Sequence, residues 1–250
     1  SDSENIIKEL FDYRFDQGKG LKGHSLGNLL IAAMSDITGN FEDGLNQSAK
    51  ILGAKGTVLP SSLDDIVLQA KLIDGSLVNG ESLIPLKEGK ISSVNLNPES
   101  AKGADSSINA LNKAELIIVG PGSLYTSLIP PLLVKDLINV IKESSALKIY
   151  ICNVATQKGE TDGFSVFDHI VAIEEHTYKD IFDYIVADAN YNTPITSHDE
   201  TPIKISKNDQ DNPKVLQFDI KSTEHSLRHD SNKLSNCIKK IYNLWINSSN

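Results

Sequence analysis

Gly120, Gly122, Ser123 and Thr126 lie together in IIVGPGSLYTS, residues 117–127, between a short apolar run and a longer one. Glycines let backbone amides converge and hydroxyls add donors, so the stretch can form an anion cradle for a phosphate. It can equally be a strand-to-helix turn, with the glycines supplying unusual φ values and Ser123 or Thr126 capping the next helix. A second polar stretch, NVATQKGETDGFS at 153–165, gathers Asn153, Gln157, Gly159, Glu160, Thr161 and Asp162. Its amides, hydroxyls and carboxylates suit recognition of a polar ligand; alternatively Asp162 or Ser165 caps the helix that follows. GHSLGN supplies a third group, His24, Ser25 and Asn28, in which His24 is an acid–base or phosphate-donor candidate and a helix cap at Ser25 is the alternative. In LRHD, residues 227–230, Arg228 can clamp a phosphate bidentately and Asp230 is suited to cap a closing helix. His169, on an apolar helical pattern, reads as a satisfied core histidine.

Several chemistries are excluded by pattern. GPGSL does not meet the G-x-S-x-G nucleophile elbow, so Ser123 is not read as an acylated serine. No G-x-G-x-x-G and no Walker-A lysine occurs, which removes a standard dinucleotide or P-loop site. A net charge of −9 over 250 residues argues against a nucleic-acid-binding surface. Cys152 and Cys237 are the only cysteines and fall in apolar patterns, so buried thiols in a reducing compartment are expected rather than a disulfide or zinc site. No apolar stretch reaches the roughly 18–20 residues that span a bilayer, and no signal peptide opens the chain, so a cytoplasmic location is expected.

The elements that would position these groups are legible in outline. SDSENIIKELFDYRF reads as an amphipathic helix capped by Ser1 or Ser3, with Ile6, Ile7, Leu10 and Phe11 on one face. Ser25 to Gly39 predicts a second helix, and NFEDGLNQSAKILG a third with Leu45, Ala49 and Leu52 inward. Residues 57–97 carry short alternating runs broken by Asp74-Gly75, Asn79-Gly80 and Glu88-Gly89, which predicts an antiparallel β insertion with a hairpin at Asp74-Gly75. From residue 105 short apolar strands (ELIIVG, LKIYICNV, DYIVAD, KVLQFDI) alternate with helices, including one long helix over 128–143, an exposed loop over 189–213 and a closing helix over 232–246. That alternation predicts an α/β fold with a parallel sheet covered on both faces, whose ligands bind beyond the carboxyl ends of the strands.

GHSLGNLLIAAM, GPGSLYTSLIP, NVATQKGETDGFSVFDH and LRHD, in this order, resemble the CofD-like superfamily, and within it the bacterial gluconeogenesis factor (YvcK-type) branch, related to archaeal 2-phospho-L-lactate transferases. The resemblance implies a single Rossmann-like three-layer α/β/α domain over 1–250. It also implies a cytoplasmic protein with a site for a phosphorylated, nucleotide-linked ligand such as a UDP-sugar. Membership of this branch further implies a link between carbon metabolism, cell shape and envelope synthesis, with a homodimer by analogy. If the chain is instead an enzyme of the transferase type, Mg²⁺ bridging phosphates is implied, with Glu160 and Asp162 the candidate ligands here. The family's glycine-rich first turn and its two following acidic and arginine-bearing segments have no counterpart in this sequence. The expectation is therefore that the first βα units are missing, that the sheet has an unpaired edge or gap beside the strands of residues 115–119 and 148–152, and that the chain alone is poorly soluble or self-associates.

Overall fold

The computed structural model describes residues 6, 7, 9–11, 13–192, 195 and 199–248. Two compact units emerge, Ser1–Leu63 and Asp64–Asn250.

In the first unit, residues 6, 7 and 9–11 are helical, while the caps expected at Ser1 and Ser3 lie outside the described residues. Helix α1 (Leu26–Thr38) starts where the Ser25 hydroxyl accepts the Asn28 N–H, and stops at Gly39, left-handed at φ 83°, whose N–H reaches the Ser35 carbonyl. Helix α2 (Phe41–Ile51) is capped by Asn40, which accepts from the Asp43 N–H at 2.8 Å. The two helices meet where a side chain would not fit. A Cβ on Gly44 would lie 2.5 Å from the Ser35 nitrogen. Gly44, Ser48 and Ala49 form the buried face of α2, whereas Leu45 and Leu52 are only half-buried.

The second unit opens with a three-stranded antiparallel sheet of β1 (Val67–Leu72), β2 (Leu77–Asn79) and β3 (Ile91–Asn97), in the order β2-β1-β3. The turn between β1 and β2 is the expected one: Asp74 accepts the Ser76 N–H and Gly75 sits at φ 85°. Strand structure begins only at Val67, later than the pattern from 57 suggested; just before it, Asp64 accepts the Lys102 N–H at 2.8 Å. Residues Glu81–Leu86 form a 3₁₀ helix. A register shift at Lys71/Leu72 leaves Ser92 as an extra residue, so Ile91 and Val94 both face the core although three positions apart. Across the outer face, Gln69 donates to Asn79 and accepts from Asn95.

Beyond α3 (Asp105–Asn112), four strands form a parallel sheet in the order β4-β5-β6-β7: β4 (Leu116–Val119), β5 (Leu147–Ile151), β6 (Tyr184–Asp188) and β7 (Val215–Phe218). In sequential parallel order, crossovers that all share the usual right hand put the connecting helices on one face. Accordingly α4 (Ile129–Leu133), α5 (Lys135–Glu143) and α6 (Val166–His176) share a core with Ile117, Tyr150, Ile185 and the inner face of the antiparallel sheet. The last helix, α8 (Ser231–Ser248), covers the opposite face, where Cys237 and Ile241 pack on Ile149, Ile151 and Val186. The sheet is thus sandwiched between helical layers, an α/β fold. Strand β4 is an edge of this sheet, with Ile118 exposed.

The long helix expected over 128–143 does not form. A π-helical turn (Leu124–Leu128) runs into α4, and α5 then departs at 79°. Pro130 and Pro131 are harmless in the first turn of α4. The break is at Val134, which is extended at ψ 109°, buried, and at once ends α4 and begins α5. Within the expected loop over 189–213, the described residues from 201 onward are more ordered than their composition suggests. Thr201 and Ile203 bond by their backbones to Thr156 and Val154, and Ser206 with Asp209 makes a capping box on α7 (Lys207–Asp211). Among the described residues no single helix is long and apolar enough to cross a membrane.

Candidate functional site

The loops that follow β4, β5 and β7 enclose a cavity of about 500 Å³ at the carboxyl ends of the parallel strands. Pro121, Gly122 and Ser123 form one wall, residues 153–157 a second, and Leu227, Arg228 and His229 a third, with Glu200 from the β6–β7 connection. Of the residues singled out from sequence, the structure brings Gly122, Ser123, Asn153, Gln157 and Arg228 together here.

A hydrogen-bonded network fixes the two loops against each other. The Asn153 carboxamide accepts the Gly122 N–H at 3.2 Å and returns a bond to the Gly122 carbonyl at 2.9 Å. Asn153 Nδ2 also lies 3.3 Å from Gln157 Oε1, and Gln157 Nε2 donates to Ser123 Oγ at 2.8 Å. Two consequences follow. The Gly122 amide is committed to Asn153, so it is not a free phosphate donor as the glycine pattern suggested. Ser123 Oγ, having accepted from Gln157, keeps its own proton to donate. Arg228 is exposed and its guanidinium makes no ion pair among the described residues, whereas Lys158 is paired with Asp199 at 2.9 Å.

His229 was passed over in the sequence, although it stands between Arg228 and Asp230 in the motif already noted. Its Nε2 lies 3.0 Å from the Cys152 carbonyl, which can only accept, so Nε2 carries the hydrogen. Burial holds the imidazole below its ordinary pKa; the bond to Cys152 and the nearby Asp188 carboxylate act in the opposite direction. The segment is braced from behind: Lys221, whose backbone bridges to His229, places its ammonium 3.6 Å from buried Asp188 and donates to the Asn190 carbonyl. Asp230 caps α8 as expected, accepting the Asn232 and Lys233 N–H groups at 2.9 Å.

Other candidates stand outside the cavity, each for a local reason. Gly120 is at φ 93°, and a Cβ there would lie 2.6 Å from the Ile151 carbonyl oxygen, so its role is the close approach of β4 to β5. Thr126 donates to Glu160 Oε1 at 2.9 Å, and the Tyr125 N–H to Glu160 Oε2 at 3.1 Å; a buried carboxylate thereby anchors the π-helical turn. Burial pushes the Glu160 carboxyl above its ordinary range, opposed by these hydrogen bonds. Thr161 is fully buried and accepts the Gln157 N–H. Gly159 is left-handed at φ 82° and abuts the Pro85 carbonyl. Asp162 closes its own turn by accepting the Gly159 N–H, and borders a separate cleft of about 160 Å³. Ser165, not Asp162, caps α6, in a capping box with Asp168.

Glu160 and Asp162 do not fit a shared Mg²⁺ site: both Glu160 oxygens are held by donors, and no metal-holding group of three His, Cys, Asp or Glu occurs among the described residues. In the first unit Ser25 acts as a cap, His24 is exposed with Nδ1 3.3 Å from the Leu21 carbonyl, and Asn28 is exposed. His169 is a core residue, but only half satisfied. Its Nδ1 lies 2.8 Å from the Ser165 carbonyl, Nε2 has no partner, and burial holds the ring below its ordinary pKa. Both cysteines are free and buried, and burial pushes Cys152 up to about 12 and Cys237 to about 11.

Comparison with known proteins agrees with this architecture. A gluconeogenesis factor of Halalkalibacterium halodurans is 41% identical over 251 residues, spanning 95% of this chain and 76% of the relative. The gluconeogenesis factor of Bacillus subtilis is 39% identical over 221 residues, 88% of this chain and 67% of that protein. A crystal structure of a UPF0052 family member from Bacillus halodurans superposes with a TM-score of 0.81 at 39% identity, covering 93% of this chain and 77% of that one. The family described as 2-phospho-L-lactate transferase CofD matches residues 1–229, and the chain belongs to it.

Proposed function

We propose that this chain is a cytoplasmic binding factor that holds a nucleotide-linked diphosphate, such as a UDP-sugar, in the cavity between the 120–123, 153–157 and 227–231 segments, and so links carbon metabolism to cell shape and envelope synthesis. One observation carries the reading: an uncommitted Arg228 guanidinium shares a cavity with the Ser123 hydroxyl at the carboxyl ends of parallel strands. An arginine fork suits paired phosphate oxygens, and the carboxyl edge of an open α/β sheet is where ligands collect. The names of the relatives, gluconeogenesis factors, support a role in carbon metabolism. In this reading Asn153 and Gln157 hold the Ser123 hydroxyl in place, and Arg228 supplies charge. Calorimetric titration with a UDP-sugar tests it, with Arg228→Ala expected to weaken binding at least tenfold. The reading fails if neither UDP-sugars, nucleotides nor inorganic phosphate give heat, or if Arg228→Ala binds as tightly as the wild type.

The family description as a transferase supports a second reading, transfer of a phosphorylated group from a nucleotide carrier to an alcohol. Metal-dependent cleavage of a nucleotide-linked donor would select it. Tight binding without turnover selects the binding factor.

A further inference from the structure

We propose that His229 couples ligand binding to proton uptake: its Nδ1 takes a proton from solvent as an anionic diphosphate enters the cavity, and donates it in a hydrogen bond to a phosphate oxygen. The inference rests on the reading above, that this cavity holds a phosphorylated ligand.

Geometry supplies the argument. The imidazole borders the cavity next to Arg228, and its orientation is fixed by the Nε2–H bond to the Cys152 carbonyl. In a neutral ring so held, Nδ1 is an acceptor, and it has no protein partner among the described residues. An acceptor facing a phosphate oxygen is repulsive, whereas an imidazolium there makes a charge-assisted hydrogen bond. The ligand therefore binds the protonated form better, and by linkage the site binds a proton better when the ligand is present.

The charged surroundings permit this without compelling it beforehand. From β6, the Asp188 carboxylate favours the imidazolium, but Lys221 lies 3.6 Å from that carboxylate and offsets it. Arg228 and Asp230 flank the ring in sequence with opposite charges, and Glu200 lines the cavity. The neighbouring Cys152 thiol, pushed up to about 12, stays neutral. Burial keeps the free imidazole neutral near pH 7, so the incoming anion decides its state.

The sign follows from linkage. The free pKa is depressed and the ligand-bound pKa is raised, so affinity increases as pH falls through the interval between them, by at most about tenfold per pH unit for one proton. A UDP-sugar is the suitable probe, because its diphosphate diester does not itself titrate there.

Calorimetry of the chain with a UDP-sugar at pH 7, in two buffers of different ionisation enthalpy, counts the protons taken up. Net uptake is expected for the wild type, with affinity rising several-fold from pH 8 to pH 6. His229→Gln retains an Nε2 donor for the Cys152 carbonyl but cannot titrate; uptake should vanish, the pH profile flatten and binding weaken. Nitrogen NMR of the wild-type histidines is an independent readout that needs no variant: one Nε2–H tautomer should become doubly protonated on adding ligand. Binding without proton uptake, uptake that persists in His229→Gln, or an unchanged histidine spectrum overturns the inference while leaving the binding reading intact. No binding at any pH between 5.5 and 8 overturns both.

Discussion

Replacing Glu160 should separate the role of its shape from that of its charge. The side chain is 7% exposed, and its two oxygens satisfy the Tyr125 N–H and the Thr126 hydroxyl in the turn that carries the cavity's first wall. Glu160→Ala removes both acceptors and leaves a buried backbone N–H unpaired, a loss of about 2–4 kcal/mol. For a chain of this size that corresponds to a fall in melting temperature of roughly 5–15 °C. Glu160→Gln behaves differently, because its carbonyl oxygen can accept from Tyr125 while its amide donates to Thr126 Oγ. It also relieves the burial of a charge, so it should lie within about 1 kcal/mol of the wild type at pH 7. The pH dependence has a definite sign. Burial raises the folded-state pKa above the ordinary value, so the folded chain binds the proton more tightly than the unfolded one. The wild type should therefore lose stability relative to Glu160→Gln as pH rises from the ordinary carboxylate pKa through the raised one, and hold a constant difference above it. Thermal melts of the three proteins across pH 4–8 give the answer. The reasoning is refuted if Glu160→Ala melts within about 2 °C of the wild type, or if Glu160→Gln is as destabilised as the alanine variant.

Gly120→Ala introduces a Cβ 2.6 Å from the Ile151 carbonyl oxygen at a left-handed φ, and denaturant titration should show a loss of roughly 2–3 kcal/mol; a neutral effect would show that β4 and β5 can separate freely. His169 is buried neutral with a depressed pKa, so its stabilising contribution is present above the ordinary histidine pKa of about 6.5 and is lost as pH falls below it. His169→Asn should make the melting temperature less sensitive to acid between pH 6.5 and 5, and an unchanged slope would contradict this. Cys152 and Cys237 should resist a thiol-reactive reagent at pH 7 in the folded chain and react fully once denatured, whereas rapid labelling of the native protein would contradict their burial.

Local chemistry was legible wherever one residue type settles one backbone feature. Ser25 and Gly39 mark the ends of α1, Asp74-Gly75 the hairpin, and the largely apolar runs at 116–119 and 147–151 mark strands, of which the second is buried on both faces. Features that depend on distant partners were not. Val134 breaks a helical pattern because the folded core buries it in an extended conformation, and nothing within four residues signals that. Glu160 resembled a ligand because an acid in a polar loop gives no sign that a turn 34 positions earlier needs its oxygens. The opposite error removed His229 from notice: its value lies in the Cys152 carbonyl, 77 positions away, that fixes its tautomer. Asn153 and Gln157 were identified as polar candidates, but only the fold shows that they face the other loop and each other.

A crystal structure of the chain grown with a UDP-sugar tests the central claim most directly. The account predicts the diphosphate in the 500 Å³ cavity, within hydrogen-bond reach of Ser123 Oγ and the Arg228 guanidinium and beside His229. Ligand seated elsewhere, for instance in the smaller cleft bordered by Asp162, with this cavity filled only by solvent, would contradict it.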